Sequence, residues 1–235
     1  FMAPVYLCNW NREWGSHYTY GAATPPPDYD NSRCILLWGF NPHASWPAAA
    51  ARIRRAKAAG AKLIVIDPRK SAVAEKADLW LRVLPGADGA LAMSMIHALL
   101  DEKLYDESFV RDWTNGAFLM HEDNQQLLTA RDLSPSSDWE TFFVWDERSN
   151  DLVSYRADQG YARGDIVPAL FGAREMTLSG GKVVACRPAF EQLTKLAANY
   201  APERSEHLIG VPAGDIRRAA RLFATETPSC YYSWV

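Results

Sequence analysis

Short runs of hydrophobic residues, each followed by a turn-forming residue, set the pattern of the first part of the chain. Residues 35–38 (Ile-Leu-Leu-Trp) are apolar at every position and end at Gly39, and residues 62–67 (Lys-Leu-Ile-Val-Ile-Asp) contain a second such run. A run that is apolar on both faces is typical of a strand inside a parallel sheet. Residues 79–84 alternate in part and predict a third strand.

Helical patterns alternate with these strands. A helix is predicted over residues 45–59, with Ser45 as its cap, Pro47 in its first turn and Gly60 after its end. Another is predicted over residues 90–101, with Asp88 as its N-cap. Strand, turn and helix then form βαβ units, in which free N–H groups at the turn can bind phosphate.

The pattern changes after residue 117. Hairpin strands are predicted at residues 142–146, 152–155 and 181–186, and helices at 106–113, 189–200, 202–210 and 212–225. Residues 1–33 are aromatic and are predicted to be irregular, whereas residues 231–235 look like the start of a strand. The predicted fold is α/β, a parallel sheet with flanking helices, plus a β-rich insertion and C-terminal helices. The predicted division is 1–118 for the sheet domain, 119–188 for the insertion and 189–235 for a helical return segment.

Composition excludes several classes of protein. The net charge of −3 over 235 residues and the pI near 6.0 give no electrostatic reason to expect nucleic acid or a membrane surface. No apolar run reaches transmembrane length, and the compartment is left open between cytoplasm and periplasm. The cysteines, Cys8, Cys34, Cys186 and Cys230, lack metal-knuckle spacing, so an iron–sulfur or structural zinc site made by this chain alone is not expected. Cys34 and Cys230 are predicted to be small core residues.

The chemistry concentrates in turns that follow the predicted strands, at residues 39–45, 67–71 and 86–88. Asp67 is a candidate for binding a ribose, with a helix cap or a turn carboxylate as the alternative. Asp88 is a candidate for reading a purine edge, with helix capping as the alternative. The three-glycine dinucleotide fingerprint is absent, which disfavours a standard NAD enzyme. Three turns at one edge of a sheet suit an extended nucleotide whose phosphate, ribose and base are bound separately.

Three motifs in order resemble those of one family. Trp-Gly-Phe-Asn-Pro at residues 38–42, with Ser45 and Pro47, is followed by Ile-Asp-Pro-Arg at 66–69 and Leu-Pro-Gly-Ala-Asp-Gly-Ala-Leu at 84–91. This series strongly resembles the molybdopterin oxidoreductases of the dimethyl-sulfoxide-reductase and formate-dehydrogenase type. Matches at 105–110, 113–116, 200–203 and 210–217 extend the resemblance over most of the chain.

The resemblance implies a Rossmann-like domain that holds one half of a bis(molybdopterin guanine dinucleotide) cofactor carrying molybdenum or tungsten. By motif position, the pyrophosphate would be surrounded by Trp38, Gly39, Asn41, Pro42 and Ser45. The ribose would be bound by Asp67, with Pro68, Arg69 and Lys70 beside it. The guanine edge would be held by Gly86 and Asp88.

Cys8 is the candidate metal ligand and catalytic residue. In many family members a single side chain about thirty residues before the Trp-Gly turn binds the metal, and a thiolate is a soft ligand that suits it. The alternative from chemistry alone is a cysteine in a packed aromatic loop. A 4Fe–4S cluster is expected only in an N-terminal segment outside this chain, and the chain by itself is expected to fold without bound cofactor.

The implied function is oxygen-atom or two-electron transfer on a small-molecule substrate, with an iron–sulfur electron-transfer subunit as a possible partner and no direct membrane insertion. Two alternatives are a non-catalytic relative, such as the large peripheral subunit of respiratory complex I, and a plain nucleotide-binding Rossmann domain. The presence of Asn41, Asp67 and Asp88 favours the enzyme, because a non-catalytic relative is expected to lose the nucleotide site.

Overall fold

The computed structural model describes residues 10–22 and 26–233, so Cys8 lies outside the described residues. The helices are α1 Trp10–Tyr20, α2 Pro42–Ser45, α3 Pro47–Ala58, α4 Asp88–Asp101, α5 Glu107–Trp113, α6 Ala130–Leu133, α7 Ala189–Ala198, α8 Pro202–Ile209 and α9 Ala213–Thr225, with short 3-10 turns at Ala74–Lys76 and Asn115–Ala117. The strands are β1 Cys34–Trp38, β2 Lys62–Ile66, β3 Leu79–Leu81, β4 Leu119–His121, β5 Phe142–Asp146, β6 Asp151–Arg156, β7 Gly160–Tyr161, β8 Arg174–Thr177, β9 Val183–Pro188 and β10 Ser229–Ser233.

The chain divides into two compact units. One unit runs up to Leu104 and resumes at Tyr200, and the other comprises Tyr105–Asn199. The boundaries expected from sequence fall after residues 118 and 188, so α5 and α7 lie in the second unit rather than with the segments to which they were assigned.

The first unit contains a four-stranded parallel sheet in the order β10-β1-β2-β3. The central strands β1 and β2 are buried on both faces, which agrees with their uninterrupted apolar residues. Ile35 and Leu37 belong to one buried cluster, together with Ile53 of α3, whereas Leu36 belongs to the cluster on the opposite face, with Leu91 of α4. The predicted α/β fold with helices flanking a parallel sheet is therefore confirmed.

The second unit carries two antiparallel sheets, ordered β4-β9-β8 and β5-β6-β7. The predicted strand at 142–146 coincides with β5, and the one at 152–155 lies within β6. The third is shifted, because β9 runs from Val183 to Pro188. The small core of this unit includes Leu119, Leu128, Met176, Val184 and Cys186.

The irregular structure predicted for residues 1–33 is wrong for α1, which is helical over Trp10–Tyr20. Side chains three and four residues apart meet on a helix, and the Trp14 ring stacks on that of Tyr18 with centroids 5.7 Å apart. Stacking between aromatic side chains at this spacing stabilises α1, although α1 has no continuous apolar stripe of the kind that predicts a helix from sequence. Among the described residues, no helix is both long enough and apolar enough to cross a bilayer.

Candidate functional site

The register of the parallel sheet brings the predicted site loops to one edge. Trp38 pairs with Ile66 and Ile66 pairs with Leu81, so the three strands end side by side. The Gly39 N–H donates to the Ile66 carbonyl oxygen at 2.8 Å, and the Asp67 N–H donates to the Leu81 carbonyl oxygen at 3.2 Å. The loops that follow the strands therefore begin as neighbours.

The first loop turns sharply at Gly39, whose φ of 59° lies in the left-handed region that favours glycine. The helix predicted over residues 45–59 is present as α3, but it begins at Pro47 rather than at Ser45. Pro42 begins the four-residue helix α2, and α3 begins at Pro47 after the extended residue Trp46. Proline disfavours helical geometry in the residue before it, which explains the break at Trp46.

Ser45 therefore does not cap the long helix. Its hydroxyl donates to the Asn41 carbonyl oxygen at 3.0 Å and closes the turn of α2. Because α2 has only four residues, its dipole is small, so this loop can offer an anion side chains and individual amides but not the N-terminus of a long helix.

Asn41 carries the clearest sign of a missing partner. Its Oδ1 is buried without a hydrogen-bond donor, and its side chain does not cap α2. An unsatisfied buried acceptor costs about 1–3 kcal/mol, so a ligand that hydrogen-bonds this carboxamide would be stabilised by it. The amide group offers both a donor for a phosphate oxygen and an acceptor for a hydroxyl, which fits a nucleotide.

The second loop is built around Asp67. Its Oδ1 accepts from the Arg69 N–H at 2.8 Å, as in the turn interpretation, whereas Oδ2 has no donor among the described residues. The Trp80 indole N–H donates to the Asp67 carbonyl oxygen at 2.9 Å. This bond anchors the second loop to the adjacent strand β3. Asp67 can thus close its turn and still accept a hydrogen bond from a ribose hydroxyl.

Pro68, Arg69 and Lys70 are exposed beside Asp67. The Lys70 ammonium lies 5.7 Å from the centroid of the Trp80 ring, a cation–π contact that holds the lysine over the loop. Arg69 and Lys70 thus place two positive charges at this edge of the sheet.

Ser71 is a polar residue of this loop that sequence reasoning missed. It is 6% exposed, and its hydroxyl has no hydrogen-bond partner within the described part of the chain. The neighbouring sequence does not distinguish Ser71 from an ordinary turn serine. Only the burial of its hydroxyl in the folded chain does so.

The third loop contains Gly86, with φ of 87°, and Asp88. Asp88 is the first residue of α4, and Ala87 is the N-cap, so the expected capping role of Asp88 is wrong. Instead, Asp88 Oδ1 accepts from the Trp38 indole N–H at 2.7 Å. Trp38 therefore contacts the third loop, a relationship between residues distant in sequence.

No group of three or more His, Cys, Asp or Glu side chains is arranged to hold a metal across residues 10–22 and 26–233. Burial raises the pKa of the Cys34 thiol to about 12 and that of Cys186 to about 11, so both remain neutral thiols at pH 7. Cys34 is a core residue, as predicted, and Cys230 packs partly against the core.

A separate groove of about 360 Å³ lies on the flank of the sheet between α3 and residues 73–76. It shares Pro42 with the first loop, but neither Asp67 nor Asp88 lines it. Its walls are mostly apolar, with Arg54, Lys57 and Lys76 among the lining residues. The groove is therefore distinct from the edge where the three loops meet.

Comparison with known proteins gives a consistent result. A family model described as "Molybdopterin oxidoreductase" matches residues 5–184. The perchlorate reductase subunit alpha of Dechloromonas aromatica strain RCB is 33% identical over 234 residues, covering 89% of this chain and 25% of that protein. The dimethylsulfide dehydrogenase subunit alpha of Rhodovulum sulfidophilum is 32% identical over 218 residues, covering 89% of this chain and 23% of that protein.

A solved structure has a similar fold. The acetylene hydratase from Pelobacter acetylenicus superposes with a TM-score of 0.60 and 24% identity, covering 97% of this chain and 21% of that chain. The chain thus spans about a quarter of the length of the relatives it matches.

Proposed function

Because the chain belongs to the molybdopterin oxidoreductase family, we propose that its parallel-sheet unit binds one guanine dinucleotide of a bis(molybdopterin guanine dinucleotide) cofactor that carries molybdenum or tungsten. The observation that carries this proposal is the meeting of three loops at one sheet edge, where the buried Asn41 Oδ1 has no hydrogen-bond donor among the described residues. Ligands of α/β sheets bind at the carboxyl ends of the strands, which is where these loops lie.

Each loop has a distinct role in this proposal. Asn41 donates to a pyrophosphate oxygen, and Gly39, Pro42 and Ser45 shape the turn that admits the phosphate. The positive charges of Arg69 and Lys70 balance the phosphate charge.

The remaining two loops bind the nucleoside. Asp67 Oδ2, which has no donor from the described residues, accepts from a ribose hydroxyl, and Pro68 holds the loop that presents it. Asp88 accepts from the guanine edge, and Gly86 gives the base close access to the backbone. Trp38 takes part through its contact with Asp88.

The bound cofactor would supply oxygen-atom or two-electron transfer at its metal, with Cys8 as the proposed side-chain ligand. The chain's own residues bind and orient the dinucleotide and exclude water from its phosphates. The alpha-subunit names of two relatives support the further proposal that the whole protein works with another subunit. From the resemblance alone, we propose that this partner is an iron–sulfur electron-transfer subunit and that a 4Fe–4S cluster lies in a segment outside this chain.

Metal and cofactor analysis tests the proposal. The whole protein is purified from cells grown with molybdate or tungstate, and its metal content is measured together with fluorescent pterin oxidation products and acid-released GMP. We expect molybdenum or tungsten with two GMP per metal. Neither metal and no pterin would overturn the proposed function, whereas a Cys8→Ala variant with full activity would remove the ligand role of Cys8 alone.

The contribution of the loops is tested in the same assay. An Asn41→Ala, Asp67→Asn, Asp88→Asn variant is expected to retain its fold and to lose most of its bound GMP. Arg33→Ala is the matched control, because Arg33 precedes β1 and lies at the opposite end of the sheet from the loops.

A further inference from the structure

We propose that Trp38 is a positioning residue that orients the Asp88 carboxylate and thereby sets the preference of the site for guanine. This inference rests on the proposed function, since it concerns the base-binding end of the same site. It assigns Trp38 a different role from the one its motif position implies, because the indole engages the third loop rather than the phosphate turn.

The donor is held by the sheet. Trp38 is the last residue of β1, and it pairs with Ser233 of β10 on one side and with Ile66 of β2 on the other. Its ring is half-buried and packs against the hydrophobic cluster that contains Leu91 of α4. The indole N–H therefore has a well-defined position that does not depend on loop conformation.

The acceptor, the Asp88 carboxylate, is exposed and would rotate freely without the bond from Trp38. Asp88 opens α4 at the surface, and the 2.7 Å bond from Trp38 Nε1 engages its Oδ1. No other described residue donates to its Oδ2. The bond fixes the plane of the carboxylate while leaving Oδ2 and the second lone pair of Oδ1 for a ligand.

A carboxylate in a fixed plane is selective among purines. Guanine presents two adjacent donors, N1–H and the 2-amino group, and these match the two carboxylate oxygens. Hypoxanthine keeps N1–H but lacks the amino group, and adenine presents an acceptor at N1. A freely turning carboxylate must lose its rotational freedom on binding, whereas Trp38 removes that freedom in advance.

The test is a double-mutant cycle with Trp38→Phe and Asp88→Asn, in which GDP and IDP affinities are measured by calorimetry. Trp38→Phe removes the indole donor and keeps an aromatic ring in the core. We expect it to weaken GDP binding by about 3- to 10-fold and to reduce the GDP/IDP preference, because ordering one side chain has a comparable cost. On the Asp88→Asn background the same change should have less than a twofold effect.

Trp80→Phe is the matched control. It removes an indole N–H bond of similar length from β3 of the same sheet, but the acceptor is the Asp67 backbone at the ribose loop. Any loss of affinity that Trp80→Phe causes should be equal for GDP and IDP, since both nucleotides carry the same ribose. A second readout is the Trp38 indole resonance, identified by its absence in Trp38→Phe, which should shift with GDP.

The outcomes are distinct. Equal weakening of GDP and IDP by Trp38→Phe, or weakening that persists with Asp88→Asn, would overturn the positioning role and leave the proposed function standing. Unchanged GDP affinity in Trp38→Phe would also overturn it. Failure of the unaltered protein to bind GDP would overturn the proposed dinucleotide site, and the positioning role would fall with it.

Discussion

The backbone N–H of Gly39 donates a 2.8 Å hydrogen bond to the carbonyl oxygen of Ile66, the residue that precedes Asp67. This bond continues the pairing of β1 and β2 past the end of β1 and ties the first loop to the second. The Trp38–Asp88 bond ties the same strand end to the third loop. The spacing of the three loops is therefore set by the sheet and not by the loops themselves.

The exposed cations of the second loop are predicted to act on the phosphates and not on the base. An Arg69→Ala, Lys70→Ala variant should bind GDP about 3- to 10-fold more weakly, because each exposed charge pair with a phosphate contributes a modest free energy of binding. Its affinity for guanosine, which has no phosphate, should stay within twofold. Calorimetry with both ligands makes the comparison.

Arg33→Ala is the control for that variant, because it also removes an exposed arginine but lies at the far end of the sheet. Equal losses for GDP and guanosine in the Arg69→Ala, Lys70→Ala variant would show that the loop had been disrupted and would contradict the phosphate role.

Gly210 is predicted to resist substitution. It ends α8 with φ of 78°, and an added Cβ would lie 2.6 Å from Leu84 Cγ. Gly210→Ala should lower the free energy of unfolding by about 2–4 kcal/mol through backbone strain and overpacking. Urea unfolding of the variant measures this loss.

Two further variants separate the causes. Gly60→Ala has φ of 104° but no atom within 4 Å of the new Cβ, so its loss should be about 1–2 kcal/mol, from strain alone. Adding Leu84→Ala to Gly210→Ala should restore part of the stability. If the added change restored nothing, the close contact with Leu84 would not be the cause.

Arg217 is predicted to be the central cation of the helices behind the sheet. Its Nε and Nη2 donate to both oxygens of Glu203, at 2.6 and 3.1 Å, and its Nη1 donates to Asp101 at 3.0 Å and to Glu102 at 3.2 Å. These carboxylates raise the pKa of Arg217 well above its usual range. Arg217→Met should lower the free energy of unfolding by about 1 kcal/mol, because it removes ion pairs to the exposed Glu203 and Asp101, whereas Glu102 keeps its bond from Arg221.

The control for Arg217 is Arg204→Met, which removes an exposed arginine of α8 that has no ion pair with the described residues. Arg217→Lys should recover less than half of the loss, since lysine cannot form the two-pronged bond to Glu203. Equal stabilities for Arg217→Met and Arg204→Met in urea would contradict the assigned role.

Asp146 is predicted to make the second unit sensitive to acid. This carboxylate is buried at the end of β5, and bonds from the Ser149 hydroxyl and from the Val167 N–H hold its pKa well below the usual range. A lowered pKa in the folded state gives stability above the unfolded pKa of about 3.9, and that stability is lost as the pH falls below it. The urea midpoint should therefore decrease from about pH 5 downward.

Asp146→Asn should lower the urea midpoint at pH 7 and flatten its dependence on pH, because the amide presents donors to groups that also donate. Glu175→Gln, an exposed carboxylate on β8, should keep the pH dependence of the unaltered protein. An Asp146→Asn profile as steep as that of the unaltered protein would show that another group causes the acid sensitivity.

The sheet could be predicted from sequence because its signal is local. Ile35, Leu36 and Leu37 are consecutive apolar residues, and the structure buries them in clusters on opposite faces. The turn after each strand was marked by its own residues, such as Gly39 and Asp67.

Other features depend on contacts that leave no local trace. Ser45 and Pro47 fit the start of one long helix equally well, and only the structure shows that Pro42 begins a separate turn. The bond between Trp38 and Asp88 joins residues 50 positions apart, so sequence placed them at different ends of the ligand. The unpartnered hydroxyl of Ser71 follows from its burial, which depends on the whole fold.

The shared dinucleotide site is tested most directly by an NMR titration of the isotopically labelled chain with GDP, in which backbone amide shifts report every residue that senses the ligand. We predict that residues 39–45, 67–71 and 86–88 shift together, with one dissociation constant for all three loops. Shifts confined to one loop, or different dissociation constants for different loops, would contradict a shared dinucleotide site.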